Sequence, residues 1–222
     1  MLLYYITDRT AFPGDEPARR HRLLDKIADA ARCGVDLIQL REKDLSTRDL
    51  ESLAAEAVCT VRQAQLATGN RELTTLLLVN SRGDVAVAVG ADGVHLRSSD
   101  ISAADARAIW KSGAGALARV VVAVSCHSAD EVAAAQAQGA DFAVFATVFE
   151  KKDAPAGRPT GLEALHHACR QKIPLLALGG VTLDNARACL EAGAAGIAGI
   201  RLFQENNIAK VVSGLRALLP GQ

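Results

Sequence analysis

Several apolar runs in this chain end in residues that could do chemistry. In Gln39-Leu40-Arg41-Glu42-Lys43, period-two alternation sets Gln39, Arg41 and Lys43 on the same side of an extended strand as Leu37. An amide and two cations gathered there are costly to bury without an anion, and phosphate or diphosphate is the natural partner. The competing reading is an ion-pair network with Asp8 and Asp100. A second run ends Val124-Ser125-Cys126-His127-Ser128, where Ser125 and His127 share a side and Cys126 faces the packing. An imidazole in that place could move protons near neutral pH. The alternative role for this stretch is structural, with Ser128, Asp130 and Glu131 as the cap and first turn of a helix. A third feature is Leu178-Gly179-Gly180-Val181, followed one unit later by Gly199-Ile200-Arg201. Paired glycines leave backbone N–H groups open to a phosphate, and helix N-termini add positive dipole. Asp100 either joins a Mg²⁺ site with phosphate oxygens and water or caps the helix after it. Asn80 offers an amide to a ligand or to the same metal. His95, within a strand, reads as a core or supporting residue, and His21, His166 and His167 as surface.

The elements that must position these residues repeat along the chain. Short β-branched runs at Leu3–Thr7, Leu37–Arg41, Leu76–Asn80, Gly93–Leu96, Val120–Ser125, Phe142–Val148, Leu175–Leu178 and Gly196–Ile200 alternate with segments of helical periodicity such as Leu23 to Arg32. A glycine suited to a left-handed helix end precedes every second strand, at Gly34, Gly90, Gly139 and Gly193. That two-unit regularity predicts a single-domain (β/α)8 TIM barrel over residues 1–222, with an open doubly wound sheet as the alternative. In such a barrel, function sits at the C-terminal ends of the strands, where Gln39, Arg41, Lys43, Asn80, Asp100, Ser125, His127, Gly179, Gly180 and Arg201 fall. The stretch from Lys151 to Thr160 reads as an active-site loop.

Composition narrows the partners. With 25 basic and 25 acidic side chains, no net field draws the chain to nucleic acid or an anionic membrane. Five widely spaced cysteines without a Cys-x-x-Cys predict reduced core thiols and a cytoplasmic protein. The N-terminus carries no signal-peptide pattern, and no apolar run approaches the ~20 residues of a membrane span.

With these residues in place, the chain resembles the thiamin phosphate synthase superfamily, which includes the synthases and the TenI-type thiazole tautomerases. The likeness runs nearly end to end. It rests on Tyr5-Ile-Thr-Asp-Arg9, Gln39-Leu-Arg-Glu-Lys43, Val79-Asn80, Gly90-Ala-Asp-Gly-Val-His-Leu96, Ser125-Cys-His-Ser128, Gly139-Ala-Asp141, Val148-Phe149, Gly161-Leu-Glu163, Leu178-Gly-Gly-Val181 and Gly193-Ala194. The resemblance implies that Gln39, Arg41 and Lys43 bind a pyrimidine diphosphate with Asn80 and Ser125 beside it, while Gly180 and residues near Ile200 grip a thiazole phosphate. It also implies a homodimer. Departures are equally informative. The Asp that usually follows the strand-end Asn and ligates Mg²⁺ in synthases is Ser81 here, leaving Asp100. Arg97-Ser98 stands for Gly-Gln, Glu150-Lys-Lys-Asp153 for a Thr-x-Thr-Lys loop, and Arg201 for a small hydroxyl residue. The first expectation is therefore a TenI-like tautomerase of carboxythiazole phosphate without a cofactor. In it His127 shuttles the proton, Arg41 and Lys43 supply charge, and Gly179, Gly180 and Arg201 hold phosphate. One alternative is a divergent Mg²⁺-dependent synthase joining pyrimidine diphosphate to thiazole phosphate, and another is a non-catalytic barrel that binds thiamin precursors.

Overall fold

The computed structural model describes residues 1–70, 74–114, 119–150 and 159–218. Strands β1 (Leu2–Ile6), β2 (Leu37–Leu40), β3 (Leu76–Asn80), β4 (Gly93–Leu96), β5 (Val121–Cys126), β6 (Phe142–Ala146), β7 (Leu175–Leu178) and β8 (Gly196–Gly199) pair in parallel in sequence order. β8 closes on β1 through Leu2↔Gly196 to Tyr5↔Gly199, which rules out the open sheet and establishes the (β/α)8 barrel. All eight predicted strands are present, with ends moved by one or two residues. β2 stops at Leu40 because the Arg41 N–H donates to Thr7 Oγ1 at 3.0 Å instead of continuing the ladder. β8 stops at Gly199 because Ile200 turns into a helical conformation.

The outer layer consists of α1 (Glu16–Arg32), α2 (Thr47–Thr68), α3 (Gly83–Val89), α4 (Ala103–Ala114), α5 (Ala129–Ala137), α6 (Gly161–Ala168), α7 (Ala186–Glu191), a short α8 (Arg201–Gln204) and α9 (Ile208–Arg216). Polar side chains start them where the sequence supplies a cap. Asp15 accepts from Ala18 N, Ser46 from Asp49 N, Ser128 from Glu131 N and Asn207 from Lys210 N. The four predicted helix-ending glycines all take positive φ, at 81°, 66°, 79° and 103°. Each helix buries one stripe, as with Leu50, Leu53, Ala54, Ala57, Val58, Val61 and Ala64 of α2.

Alternation along the strands separates two cores. Tyr4, Ile6, Leu37, Leu78, Ala123, Phe142, Val144, Leu176 and Ala198 fill the barrel, while Leu3, Tyr5, Ile38, Leu40 and Val79 face the helices. Burying each large side chain contributes roughly 1.5–3 kcal/mol before entropy is counted. Because Leu37 is interior, alternation within β2 puts Gln39 inside as well, while Arg41 and Lys43 lie beyond the strand end, where the alternation no longer applies.

Two expectations need correction or limitation. Cys126 and Cys189 are buried and Cys33 and Cys169 partly so, but Cys59 is exposed on α2 and is not a core thiol. Most of the Lys151–Thr160 loop, including both lysines, lies outside the described residues. Among the described residues no helix is long and apolar enough to cross a membrane.

Candidate active site

Inside the barrel top, three strands present polar side chains in one connected layer. Gln39, 2% exposed, donates from Nε2 to Asn80 Oδ1 at 2.9 Å, and Asn80 Nδ2 meets Ser81 Oγ at 3.2 Å. Ser81 takes a left-handed φ of 59° and donates its N–H to the His95 carbonyl. Deeper down, Tyr4 Oη lies 3.0 Å from His95 Nδ1, and His95 Nε2 lies 2.7 Å from Ser125 Oγ. The fully buried Tyr4 hydroxyl needs an acceptor for its proton, which makes Nδ1 the acceptor and puts the imidazole proton on Nε2. Ser125 Oγ then accepts from His95, and its own proton is available to a ligand. Burial, reinforced by Arg41 and opposed by Asp100, pushes His95 down to about 3, so the relay is neutral. The supporting role expected for His95 is what the geometry displays. Tyr4 was not anticipated, although its shared parity with Ile6 was a signal.

The β2 end carries the cations. Neither the guanidinium of Arg41 nor the ammonium of Lys43 is engaged by a hydrogen bond or ion pair among the described residues. Arg41, then burial and Arg97, push the Lys43 ammonium below its usual range against a pull from Asp8. The competing reading, an ion-pair network of these cations with Asp8 and Asp100, is absent among the described residues, and Asp100 is taken by Arg97. A different network holds the loop in place. Buried Glu42 accepts from Thr7 Oγ1 at 2.5 Å and from the Arg9 backbone N–H at 2.9 Å. The Arg9 guanidinium reaches Glu42, Asp44 and Glu16 at 3.3, 2.6 and 2.7 Å. Glu42, between Arg41 and Lys43, is thus fixed from below, and the two cations flank a pinned residue. Arg9 entered the sequence reading only as part of a motif, since its partners come from two other loops.

At the end of β4, Asp100 does not cap the next helix. Ser102 does so, accepting from Asp105 N at 3.0 Å. Asp100 Oδ1 receives Arg97 Nε and Nη2 at 3.1 and 2.9 Å, and Oδ2 receives the Arg97 N–H at 2.8 Å. Burial would raise the Asp100 carboxyl, but hydrogen bonds from the Arg97 side chain, Ser81 and the Arg97 backbone together hold it below its usual range. These residues do not fit the Mg²⁺ expected at Asp100 and Asn80. Both carboxylate oxygens are engaged, a guanidinium already neutralises the charge, and the neighbouring position offers the Ser81 hydroxyl in place of a second carboxylate. Among the described residues no cluster of three His, Cys, Asp or Glu side chains could hold a metal.

The opposite half of the mouth brings His127 to the Gly179-Gly180 turn. His127 Nδ1 lies 2.7 Å from the Ala146 carbonyl, which can only accept, so Nδ1 carries the proton and Nε2 keeps a lone pair. Cys126 packs in the core that faces the helices, as expected, and burial pushes its thiol up to about 12. The residue after Ala146, Thr147, packs beneath Gly179, where a Cβ would lie 2.5 Å from Thr147 Cγ2. At Gly180, with φ +64°, a Cβ would stand 2.7–2.8 Å from Glu150 O and from Phe149. Close approach of the β6 loop thus explains why both positions are glycine, whatever binds there. Gly180→Ala is expected to destabilise by roughly 1–3 kcal/mol, lowering the melting temperature by about 2–10 °C, which thermal unfolding would reveal. Ile200 caps the short α8 and packs against the barrel interior, and Arg201 begins that helix with its side chain exposed.

A family model described as thiamine monophosphate synthase matches residues 3–203. A putative thiamine-phosphate synthase of Geobacter sulfurreducens is 39% identical over 221 residues, spanning 98% of this chain and 94% of its own. A putative thiamine-phosphate synthase 2 of Aquifex aeolicus is 33% identical over 204 residues, 91% of this chain and 97% of its own. Among solved structures, thiamine phosphate pyrophosphorylase from Pyrococcus furiosus superposes with a TM-score of 0.75 at 30% identity, covering 98% and 94% of the two chains. A 3-hexulose-6-phosphate synthase at 18% identity and TM-score 0.62 shares the fold alone. The chain therefore belongs to the thiamine monophosphate synthase family.

Proposed function

We propose that this barrel is a thiamin phosphate synthase, joining a pyrimidine diphosphate to a thiazole phosphate with release of diphosphate. The observation that carries this reading is the pair of cations, Arg41 and Lys43, without a hydrogen-bond or ion-pair partner among the described residues, in a chain 36% identical to a protein named thiamine-phosphate synthase. The order of the two enzyme readings drawn from the sequence is thereby reversed. In the reaction the carbon–oxygen bond to the diphosphate breaks, its electron pair leaves with the diphosphate, and the thiazole captures the pyrimidine cation. Arg41 and Lys43 meet the developing negative charge; a single preorganised donor of this kind typically contributes about 10²–10³ in rate. Ser125 adds a proton donor set by His95, and the buried Gln39–Asn80 pair orients the pyrimidine. Gly179, Gly180, Ile200 and Arg201 hold the thiazole phosphate.

One observation favours the tautomerase as a second reading. The Nε2 lone pair of His127 is directed by the Ala146 carbonyl on the other nitrogen, the arrangement a proton shuttle requires. Incubation with both substrates separates the two. The synthase reading expects thiamin phosphate and diphosphate in equal amounts, retained in His127→Gln. No thiamin phosphate, together with aromatisation of carboxythiazole phosphate that His127→Gln abolishes, would establish the tautomerase instead.

A further inference from the structure

We propose that Arg97, clamped on Asp100, takes the place of a divalent cation in this chain, so that Arg41, Lys43 and Arg97 form a diphosphate clamp that works without metal. The proposal rests on the synthase reading for its ligand. Its evidence is local and geometric. Arg97 is the first residue after β4, next but one to the interior His95, so it emerges at the mouth beside the end of β3, one strand away from β2. Asp100 uses the guanidinium Nε–H and one Nη2–H. A guanidinium has five N–H donors, and among the described residues the remaining ones have no acceptor. Those donors are fixed in orientation by the Asp100 contact and by the Arg97 backbone N–H on the other carboxylate oxygen. Planar, forked donors of this kind match phosphate oxygens better than a point charge does.

Charge balance supports the same exchange. A magnesium ion between two carboxylates is neutral overall, and so is a guanidinium on one carboxylate. Replacing the expected aspartate by Ser81 while placing arginine at position 97 therefore changes the carrier of positive charge without changing the net charge of the site. Ser81 remains part of the arrangement: its Oγ accepts from Asn80 Nδ2, and its hydroxyl helps hold the Asp100 carboxyl down. Arg41 first and Arg97 less strongly both push the Lys43 ammonium down, as neighbouring cations do.

The test uses the full-length protein and inorganic pyrophosphate as the probe, by titration calorimetry in excess EDTA. Wild type is expected to bind, and Arg97→Ala to bind at least tenfold more weakly, with Arg97→Lys between them because it keeps the charge without the fork. Arg97 is largely exposed, and circular dichroism would confirm that the variants fold. The double variant Ser81→Asp/Arg97→Gly is expected to bind pyrophosphate only after Mg²⁺ is added. Wild-type binding that EDTA abolishes and Mg²⁺ restores would overturn the proposal, as would Arg97→Ala binding like wild type. The two readings fail separately. Thiamin phosphate formation that requires Mg²⁺ sinks the clamp and leaves the synthase standing. Metal-free, Arg97-dependent pyrophosphate binding without any thiamin phosphate formation sustains the clamp and removes the synthase.

Discussion

Arg9→Met is expected to lower the free energy of unfolding by about 3–5 kcal/mol near neutral pH. The substitution keeps an unbranched apolar stem but removes the guanidinium and its charge, leaving the buried Glu42 carboxylate with only Thr7 and one backbone N–H. Burial, the largest influence on Glu42, already pushes its carboxyl above the usual range against the hydrogen bonds from Thr7 and Arg9. Without the guanidinium that upward shift must grow. A carboxyl with a raised folded-state value favours the native state below its unfolded value, and that contribution is lost as pH rises through the folded value. The deficit of Arg9→Met relative to wild type should therefore be small near pH 4 and widen toward pH 8. Urea unfolding at several pH values measures this, and a deficit independent of pH would show that Arg9 acts through packing alone. A loosened Glu42 also frees Arg41 and Lys43, so activity should fall before the protein unfolds.

A second large effect concerns His95. Its folded-state value of about 3 lies well below the ordinary 6.5, through burial first and Arg41 second. The unfolded chain takes up a proton below 6.5 that the native state refuses, so stability is full above 6.5 and declines as pH falls toward 3. One proton corresponds to about 1.4 kcal/mol per pH unit, and the whole interval to roughly 5 kcal/mol. His95→Gln keeps two hydrogen-bonding ends for Tyr4 and Ser125 but cannot take the proton. Its stability between pH 6 and 4 should fall less steeply than wild type by about one proton, as measured from denaturant midpoints at each pH. Equal slopes would mean that other groups carry the acid sensitivity.

Much of the barrel could be read from the chain because each strand is short, apolar and bounded by a helix whose end is marked by glycine. Parity grouped Gln39 with Leu37 and Ser125 with His127, since alternation along one strand needs no knowledge of its neighbours. What was hidden depended on register between strands or on loops meeting in space. The Tyr4–His95 contact joins residues 91 positions apart, and Arg9 gathers carboxylates 7, 33 and 35 positions away. Asp100 shows a different failure. Ser99-Asp100 looks like a helix start, yet the helix begins later under Ser102, and the arginine three residues before Asp100 was the stronger local partner. The paired glycines were legible, whereas their packing against Thr147 and Phe149 was not.

On the synthase reading the mouth holds two anions, a diphosphate over β2 to β4 and a monophosphate over β7 and β8. A crystal structure with thiamin phosphate and diphosphate bound tests it most directly. Diphosphate oxygens about 3 Å from Arg41 and Lys43, with the monophosphate at Gly179-Gly180 and Arg201, is the predicted result. A single phosphate on the glycine turn, with no ligand density over Arg41 and Lys43 at saturating diphosphate, would contradict it.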